Sequence, residues 1–188
     1  MKPFLDHFGF LAPFYEFFIR PRDPEKIWLL AHLPSDGIVL DAGGGTGRVA
    51  QYLRSKAAQI VIADESFGML RAAQKKEGLQ PVLSYTEDLP FQNDTFDCII
   101  MVDALHHVAD QRKTTNELWR ILRSGGRLII EEPNIHSLGV KFIALAEKLA
   151  LMRSHFLSPQ QITTLFQGKP AVTRLELEDA LAWIIVEK

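Results

Sequence analysis

The sequence has little cysteine, little excess charge and no long hydrophobic run. Cys98 stands alone among 188 residues, so no internal disulfide can form, and a reducing compartment such as the cytoplasm is expected. The balance of 21 basic and 23 acidic residues gives a net charge of −2, which provides no overall positive field to attract nucleic acid. No stretch approaches the ~18 apolar residues that a spanning helix needs, so we expect no stable membrane insertion.

The composition otherwise indicates one folded domain. Hydrophobic residues make up 47% and charged residues 23% of the chain, as in ordinary globular proteins, and the length suits a single core. The Phe-rich N-terminus is interrupted by Asp6, His7 and Glu16 and has no small-residue cleavage site, unlike a secretion signal. We therefore predict a single cytoplasmic domain over residues 1–188, which begins with a helical segment over residues 1–33.

Short apolar runs that predict strands alternate with amphipathic segments that predict helices. The predicted strands are Ile38–Asp41, Ile60–Asp64, Pro81–Tyr85, Phe96–Leu105 and Arg127–Glu132. The predicted helices are Thr46–Lys56, a helix capped by Ser66, and a helix that runs from Asp110 to Gly125 and Gly126. This alternation is typical of a parallel sheet with helices on both faces.

The C-terminal part breaks the alternation. After two predicted helices, Leu138–Leu151 and Ser158–Gln167, two strands follow with no helix between them, at Val172–Glu178 and Ala182–Val186. Such a short connection requires an antiparallel pair. Because the last strand is continuously apolar, we place it beside the fifth strand, with its predecessor at the edge. The predicted fold is an α/β fold with seven strands, mostly parallel, the last one antiparallel.

A glycine-rich turn follows the first strand, in the segment Val39–Arg48, where Asp41 is followed by Gly43, Gly45 and Gly47. Glycines allow a positive φ and a close approach of a ligand to the backbone, and the N–H groups of the next helix favour an anionic group. A dinucleotide fingerprint would need glycine where Arg48 stands, and the Gly-Lys-Ser/Thr of a nucleotide P-loop is absent. A tight turn without a ligand is the alternative.

Asp64 ends the second strand, 21 positions after Gly43. In Rossmann-like sheets an acid at about this spacing accepts hydrogen bonds from ribose hydroxyls. A helix cap is the competing role, but Ser66 is better placed for it. The glycine turn and Asp64 together predict a nucleoside ligand whose other end carries a small anionic group and no pyrophosphate.

Five segments, in order, resemble the class I S-adenosylmethionine-dependent methyltransferases. These are Val39–Ala50, Ala63–Leu70, Glu87–Ile100, Ala104–Asp110 and Glu117–Pro133. The resemblance points to the small-molecule type that includes the ubiquinone/menaquinone-biosynthesis C-methyltransferases. It implies a Rossmann-like sheet of seven strands with the last one reversed, which agrees with the strand pattern above.

The resemblance also implies a cofactor, S-adenosylmethionine, with S-adenosylhomocysteine as its product, and residues that bind it. Around the methionine part these are Asp41, Ala42, Gly43, Gly45 and Gly47, with Val102 and Asp103 at the sulfonium and amino-acid end. Against the ribose and adenine these are Asp64, Glu65, Met69, Thr86 and Glu87. Tyr85 departs from the family pattern, which commonly has an acid at that position.

Methyl transfer from a sulfonium is an in-line displacement that requires alignment and exclusion of water. It needs no metal, and the six histidines show no metal-ligand spacing. A base is needed only where the acceptor loses a proton. The candidates are His106 and His107 after the fourth strand and Glu131 and Glu132 after the fifth, and we favour His107. Alternatively, these side chains only bind backbone groups or solvent.

Seven aromatic residues fall within the first 18 positions. Phe4, Phe8, Leu11, Tyr15 and Phe18 follow helical spacing along one face. This face predicts either a helix packed on the core or a lid over a lipophilic acceptor. Transient membrane contact is a further alternative, although the segment lacks the basic polar face of interfacial helices.

We predict a methyltransferase that uses S-adenosylmethionine and a small, apolar acceptor, quinone-like or lipid-like, with no nucleic-acid partner. One alternative is a non-catalytic cofactor-binding module. Another is an NAD-dependent oxidoreductase, against which Arg48 and the terminal pair of strands both argue. The sequence leaves open which atom is methylated and what the oligomeric state is.

Overall fold

The structure is a computed structural model that describes residues 24–137, 139–141 and 154–188. These residues form a seven-stranded sheet with the order β3-β2-β1-β4-β5-β7-β6. The strands are β1 (Ile38–Ala42), β2 (Gln59–Asp64), β3 (Leu79–Leu83), β4 (Phe96–Val102), β5 (Leu122–Pro133), β6 (Val172–Glu178) and β7 (Leu181–Glu187). The aromatic face over residues 4–18 and most of the helix predicted at 138–151 lie outside the described residues.

The first five strands are parallel, and β1 pairs with β2 on one side and with β4 on the other. The chain therefore moves outward in one direction from β1 to β3 and then returns to continue on the other side with β4. The crevice at the carboxyl ends of strands that flank such a switch point is where open α/β sheets bind ligands. The glycine turn after β1 lies at this point.

The C-terminal hairpin confirms the predicted reversal. β7 pairs antiparallel with both β5 and β6, in a register that places Trp183 opposite Glu131 and Glu176. Ala182–Val186 is buried, whereas most of β6 is exposed at the sheet edge. β7 is buried because it lies inside the sheet, and β6 is exposed because it lies at the edge. The apolar patterns of the two strands predicted these positions.

Helices cover both faces of the sheet and enclose two clusters of buried apolar side chains. They are α1 (Pro24–Ala31), α2 (Ala50–Leu53), α3 (Phe67–Ala73), α4 (Gln111–Ile121) and α5 (Pro159–Thr164). Ser66, Asp110 and Ser158 each accept a backbone N–H at a helix start, as predicted for these cap residues. Within the described part of the chain, no helix has the length and apolar character that a bilayer crossing requires.

Several predicted boundaries were wrong by a few residues. The helix predicted at Thr46–Lys56 is regular only over α2, because the turn that carries the glycines extends through Val49. The third strand lies two residues before Pro81–Tyr85, at Leu79–Leu83. The fourth ends at Val102, since Asp103 adopts a φ of 57° that interrupts extended backbone.

The end of the helix that begins after Asp110 was also predicted too late. α4 ends at Ile121, and β5 already begins at Leu122, which pairs with Phe96 of β4. The glycines at 125 and 126, taken as the helix terminus, lie inside β5. β5 is consequently longer than the predicted Arg127–Glu132 at both ends.

Candidate active site

Two of the three predicted turn glycines are required by packing. Gly43 has a φ of 69°, and a β-carbon there would come within 2.8 Å of Ala104 Cβ. Gly47 has a φ of 72°, and a β-carbon there would lie 2.7 Å from both Ile62 Cδ1 and Leu79 Cδ1. These glycines let the turn pack closely against β2, β3 and the chain that follows β4.

Gly45, in contrast, lies against open space. Its φ is 54°, and a β-carbon there would have only Met69 Sδ, at 3.8 Å, and Asp64 Oδ2, at 4.0 Å, within 4 Å among the described residues. The side of the turn that faces Asp64 therefore leaves room beside the backbone. A ligand that binds there can approach the peptide groups directly.

Asp64 joins this turn to the start of α3. Its Oδ2 accepts a hydrogen bond from Gly45 N at 2.9 Å, and its Oδ1 accepts one from Ser66 N at 2.8 Å. The structure thus brings the glycine turn and the acid at the end of β2 into direct contact, although they are 19 residues apart. Met69 is buried beside Gly45, whereas Glu65 is exposed.

Asp41 lies beneath the turn. The residue is buried, and a β-carbon at Gly44 would come 2.5 Å from Asp41 Cγ. Burial raises the pKa of Asp41 to about 7, Arg48 opposes that rise, and Asp64 adds to it. Among the described residues, Asp41 Oδ2 and the Thr46 hydroxyl are buried without a hydrogen-bond partner. The turn therefore holds two buried polar atoms that the protein itself leaves unsatisfied.

The end of β4 adds a charged pair to the other side of the turn. Arg48 Nη2 lies 3.5 Å from Asp103 Oδ2, and Asp103 N donates to the carbonyl oxygen of Glu131 at 2.9 Å. Val102, the preceding residue, is buried. In the sequence, Arg48 only argued against a dinucleotide fingerprint. Nothing in the local pattern predicted that its side chain reaches Asp103.

Thr86 and Glu87 contact the start of α4. The Thr86 and Thr114 hydroxyls lie 3.2 Å apart. Glu87 Oε1 accepts from Ala109 N at 2.9 Å and from Asp110 N at 3.1 Å. Glu87 therefore stabilises the chain before α4, a role that the resemblance did not imply. Tyr85 is exposed.

Three of the four candidate bases, Glu132, His106 and His107, meet at the segment after β4, residues 103–107, which we call the β4 turn. Glu132 Oε1 accepts from Ala104 N at 3.0 Å and from Leu105 N at 2.7 Å. Glu132 Oε2 lies 2.6 Å from His106 Nδ1, and both side chains are almost completely buried. Glu131 is also buried. The carboxylate of Glu132 is therefore fully engaged in holding the β4 turn.

The two histidines lie in a stack of rings. His106 stacks on Phe156, with ring centroids 4.3 Å apart, and its centroid is 3.9 Å from that of His107. Ser154 Oγ lies 3.3 Å from His107 Nδ1. Burial, and secondarily His106, lowers the pKa of His107 to about 3. Of the four candidate bases, His107 is the least buried.

Residues 154–156 complete this region, and no sequence pattern indicated their role in it. His155 N donates to the carbonyl oxygen of His106 at 2.7 Å. Gln111 Nε2 donates to the carbonyl oxygens of Leu105, at 3.0 Å, and His155, at 2.6 Å. These partners are as many as 49 residues apart (155 against 106), so periodicity and local motifs could not pair them. In the described residues, no group of three or more His, Cys, Asp or Glu could hold a metal ion.

Comparison with known proteins shows which proteins this chain is similar to. Residues 40–130 match the family model described as a methyltransferase domain. The chain is 36% identical over 113 residues to a ubiquinone/menaquinone biosynthesis C-methyltransferase of Methylococcus capsulatus, a match that covers 55% of this chain and 46% of that protein. It is 36% identical over 98 residues to a demethylmenaquinone methyltransferase of Clavibacter sepedonicus, covering 50% and 40%. The match thus spans less than half the length of these relatives.

Solved structures share the fold over nearly the whole chain. A SAM-dependent methyltransferase from Thermotoga maritima superposes with a TM-score of 0.78 at 22% identity, covering 96% of this chain and 98% of that one. A SAM-dependent methyltransferase from Aquifex aeolicus gives a TM-score of 0.71 at 19% identity, covering 95% of each chain. At these identities the likeness concerns the fold.

The geometry fits the cofactor of this family. S-adenosylmethionine carries a ribose, for which Asp64 supplies a carboxylate, and two cationic centres, which suit a crevice with acids at positions 41, 64 and 103. The open side of Gly45 and the unsatisfied atoms of Asp41 and Thr46 lie on the same turn. In the sequence match over residues 40–130, in the shared fold and in this turn, the domain is similar to the class I S-adenosylmethionine-dependent methyltransferases, and among them to the ubiquinone/menaquinone-biosynthesis C-methyltransferases.

Proposed function

We propose that this domain is a cytoplasmic enzyme that transfers the methyl group of S-adenosylmethionine to a small, apolar acceptor, quinone-like or lipid-like. The contact between the Asp64 carboxylate and Gly45 N at the switch point carries the proposal. A carboxylate beside an open backbone turn is the arrangement that a nucleoside needs, since the carboxylate can accept hydrogen bonds from the ribose hydroxyls. The names of the relatives, which concern ubiquinone and menaquinone biosynthesis, support a quinone-like acceptor.

The turn and its neighbouring acids would hold the cofactor. Each carboxylate oxygen of Asp64 accepts one backbone N–H and can accept further bonds from ribose hydroxyls. Asp41 and Asp103, with Arg48, would surround the amino-acid end. When bound, the cofactor supplies an electrophilic methyl group on a sulfonium. The remaining task of the protein is to align the acceptor with that group and to exclude water.

His107 is the residue we propose for contact with the acceptor. It lies in the β4 turn and is less buried than His106, whose Nδ1 is bound to Glu132. A pKa of about 3 keeps the ring neutral at physiological pH, so it can accept a hydrogen bond from an ionising hydroxyl. The same low pKa disfavours an imidazolium, so we expect His107 to orient the proton of the acceptor and to hold no charge between turnovers.

The start of α1 supports a covering role for the N-terminal residues, which lie outside the described part. Lys26 Nζ contacts Glu176 at 3.0 Å and lies 4.9 Å from the ring of Trp183, and Trp183 pairs with Glu131 near the carboxyl end of β5. The start of α1 therefore lies beside β6 and β7, near the carboxyl end of β5. We propose that the aromatic residues 4–18 cover an apolar acceptor.

Calorimetry and a transfer assay test the proposal together. We expect binding of S-adenosylmethionine and S-adenosylhomocysteine, no binding of NAD, and transfer of labelled methyl to short-chain hydroquinones or hydroxylated lipids. Cofactor binding with no transfer to any member of such a panel would indicate a non-catalytic binding module. NAD binding would instead indicate an oxidoreductase and contradict the proposal.

The pH dependence of the transfer rate tests the role of His107. Because its pKa is about 3, kcat should show no inflection near pH 6.5, where an ordinary histidine titrates. His107→Gln should lower kcat while the affinity for S-adenosylhomocysteine stays unchanged. An inflection near pH 6.5 that disappears in His107→Gln would show that His107 titrates as an ordinary histidine and would contradict the assigned role.

A further inference from the structure

Glu132 contacts the β4 turn with both of its carboxylate oxygens. A single carboxylate accepts from two consecutive backbone N–H groups, those of Ala104 and Leu105, and contacts His106 Nδ1. Because a carboxylate can only accept, Nδ1 is the nitrogen of His106 that carries the proton in this contact. Glu132 therefore fixes the backbone of the β4 turn and the tautomer of His106 at the same time.

The β4 turn connects the two sides of the site. On the cofactor side, Ala104 lies so close to Gly43 that a β-carbon at Gly43 would be 2.8 Å from Ala104 Cβ. On the acceptor side, His106 stacks on Phe156 and contacts His107, while its carbonyl oxygen accepts from His155 N. The position of the β4 turn therefore sets the distance between the glycine turn and the rings of the acceptor side.

We propose that Glu132 is a positioning residue for methyl transfer, which holds the β4 turn and, through His106, places His107 and Phe156 relative to the cofactor. The inference rests on the proposed function and adds a role for a residue that does not itself touch the acceptor. Glu132 acts through hydrogen bonds at 2.6–3.0 Å. Methyl transfer depends steeply on alignment, since displacements of about 1 Å can cost roughly 100-fold in rate.

The first test compares Glu132→Ala with Glu132→Gln. Alanine removes all three acceptor contacts, so kcat per folded molecule should fall by about 30-fold or more, while the dissociation constant for S-adenosylhomocysteine changes by less than about threefold. Glutamine keeps an oxygen for Ala104 N and Leu105 N, and its amide can donate to His106 in the other tautomer. Glu132→Gln should therefore recover most of the lost kcat.

Glu117→Ala is the matched control. Glu117 also accepts from a backbone N–H, that of Leu89, and from a side chain, that of Arg120, but it lies on α4 away from the β4 turn. Its loss should lower thermal stability without changing kcat per folded molecule. If Glu132→Ala behaves in the same way, the residue has a purely structural role and the proposal is wrong. An equal loss of cofactor affinity and kcat would assign Glu132 to cofactor binding and also overturn it.

Two measurements need no acceptor and separate this inference from the proposed function. Hydrogen exchange of the Ala104 and Leu105 amides should accelerate in Glu132→Ala, and that of His155 should follow, because these amides share the network. Nitrogen NMR of the His106 ring should show a protonated Nδ1 in the wild type and an unprotonated Nδ1 in Glu132→Gln. If these changes occur but the wild type methylates no acceptor, the proposed function fails while the network remains as described.

His106→Asn covers the case in which Glu132→Ala does not fold. Asparagine places an amide donor close to the position of Nδ1, so the contact with Glu132 is kept while the ring stack on Phe156 is lost. We expect kcat to fall by about tenfold with cofactor affinity retained, because the backbone contacts of Glu132 persist. An unchanged kcat would show that His106 transmits no positioning effect and would refute that part of the proposal.

Discussion

The two sides of the site are built in different ways. On the cofactor side, a backbone N–H of the glycine turn meets an acid only 19 residues later, and the turn is shaped by positive φ angles. On the acceptor side, Glu132 reaches partners 26–28 residues earlier, and Gln111 reaches His155 across 44 residues. The contact of the glycine turn with Asp64 thus joins nearer parts of the chain, whereas the acceptor side that we propose is assembled from β4, β5 and the segment after residue 153.

This difference has a functional consequence. The hydrogen bonds from Gly45 N and Ser66 N to Asp64 involve neither Glu132 nor His106. The β4 turn connects the two sides, through the approach of Ala104 to Gly43. Substitutions on the cofactor side should therefore abolish binding, whereas those on the acceptor side should change turnover alone.

The largest effect is expected from Gly45→Val. The side chain would occupy the space beside Asp64 and Met69 that we assign to the cofactor, so binding of S-adenosylhomocysteine should be lost in calorimetry. The backbone φ of 54° adds strain of about 1–2 kcal/mol for a non-glycine residue. Thermal unfolding should show a folded protein of somewhat reduced stability.

Gly125→Val is the control that separates backbone strain from steric obstruction of the cofactor. Gly125 has a φ of 77° and, among the described residues, no atom within 4 Å of an added β-carbon. It lies in β5 at the amino end of the sheet, so it shares the strain of Gly45→Val without approaching the site. We expect normal cofactor affinity in this control. Retained binding in Gly45→Val would mean that the ligand lies elsewhere.

Asp64→Ala should give the next largest effect. Two charge-assisted hydrogen bonds to ribose hydroxyls, each worth about 1.5–3 kcal/mol, would be lost together with the support of Gly45 N. Titration calorimetry should show a drop in affinity for S-adenosylhomocysteine of at least about 100-fold. Asp97→Ala is the matched control, because Asp97 also accepts from a backbone N–H, that of Ile38, but at the amino ends of the parallel strands.

The burial of Asp41 on the cofactor side predicts that the stability of the protein depends on pH. Burial raises its folded pKa to about 7 from an ordinary value of 3.8, so the folded state retains a proton that the unfolded state has lost between these values. The contribution of Asp41 to the free energy of unfolding should therefore fall by roughly 3 kcal/mol as pH rises from 4 to 7. Asp41→Asn removes this loss, so its stability relative to wild type, measured by urea unfolding, should rise over that range. A difference that is constant with pH would contradict the assignment.

Sequence patterns located the glycine turn and Asp64, which the structure brings into contact, but not the contacts of Glu132, for the same physical reason. Asp41, the glycines and Asp64 lie at strand ends that an apolar run and a turn define locally, and the terminal hairpin followed from the missing crossover helix. The role of Glu132 required the register of β4 against β5, and that of Phe156 required a contact across 50 residues, 106 to 156. Neither contact can be predicted from a pattern of neighbouring residues.

The smallest effect is expected from replacing Phe8 and Tyr15 together with alanine. If these residues cover the acceptor, kcat/KM for the acceptor should fall by about tenfold, equivalent to about 1.4 kcal/mol, while cofactor affinity stays the same because the turn and Asp64 are untouched. If they are core residues instead, each truncation should cost about 3–5 kcal/mol of stability. Phe91→Ala provides the comparison for core behaviour, since Phe91 packs edge-to-face on buried Phe96 with centroids 4.9 Å apart. A loss of melting temperature like that of Phe91→Ala, with unchanged activity per folded molecule, would rule out the covering role and make the N-terminal aromatic residues part of the fold.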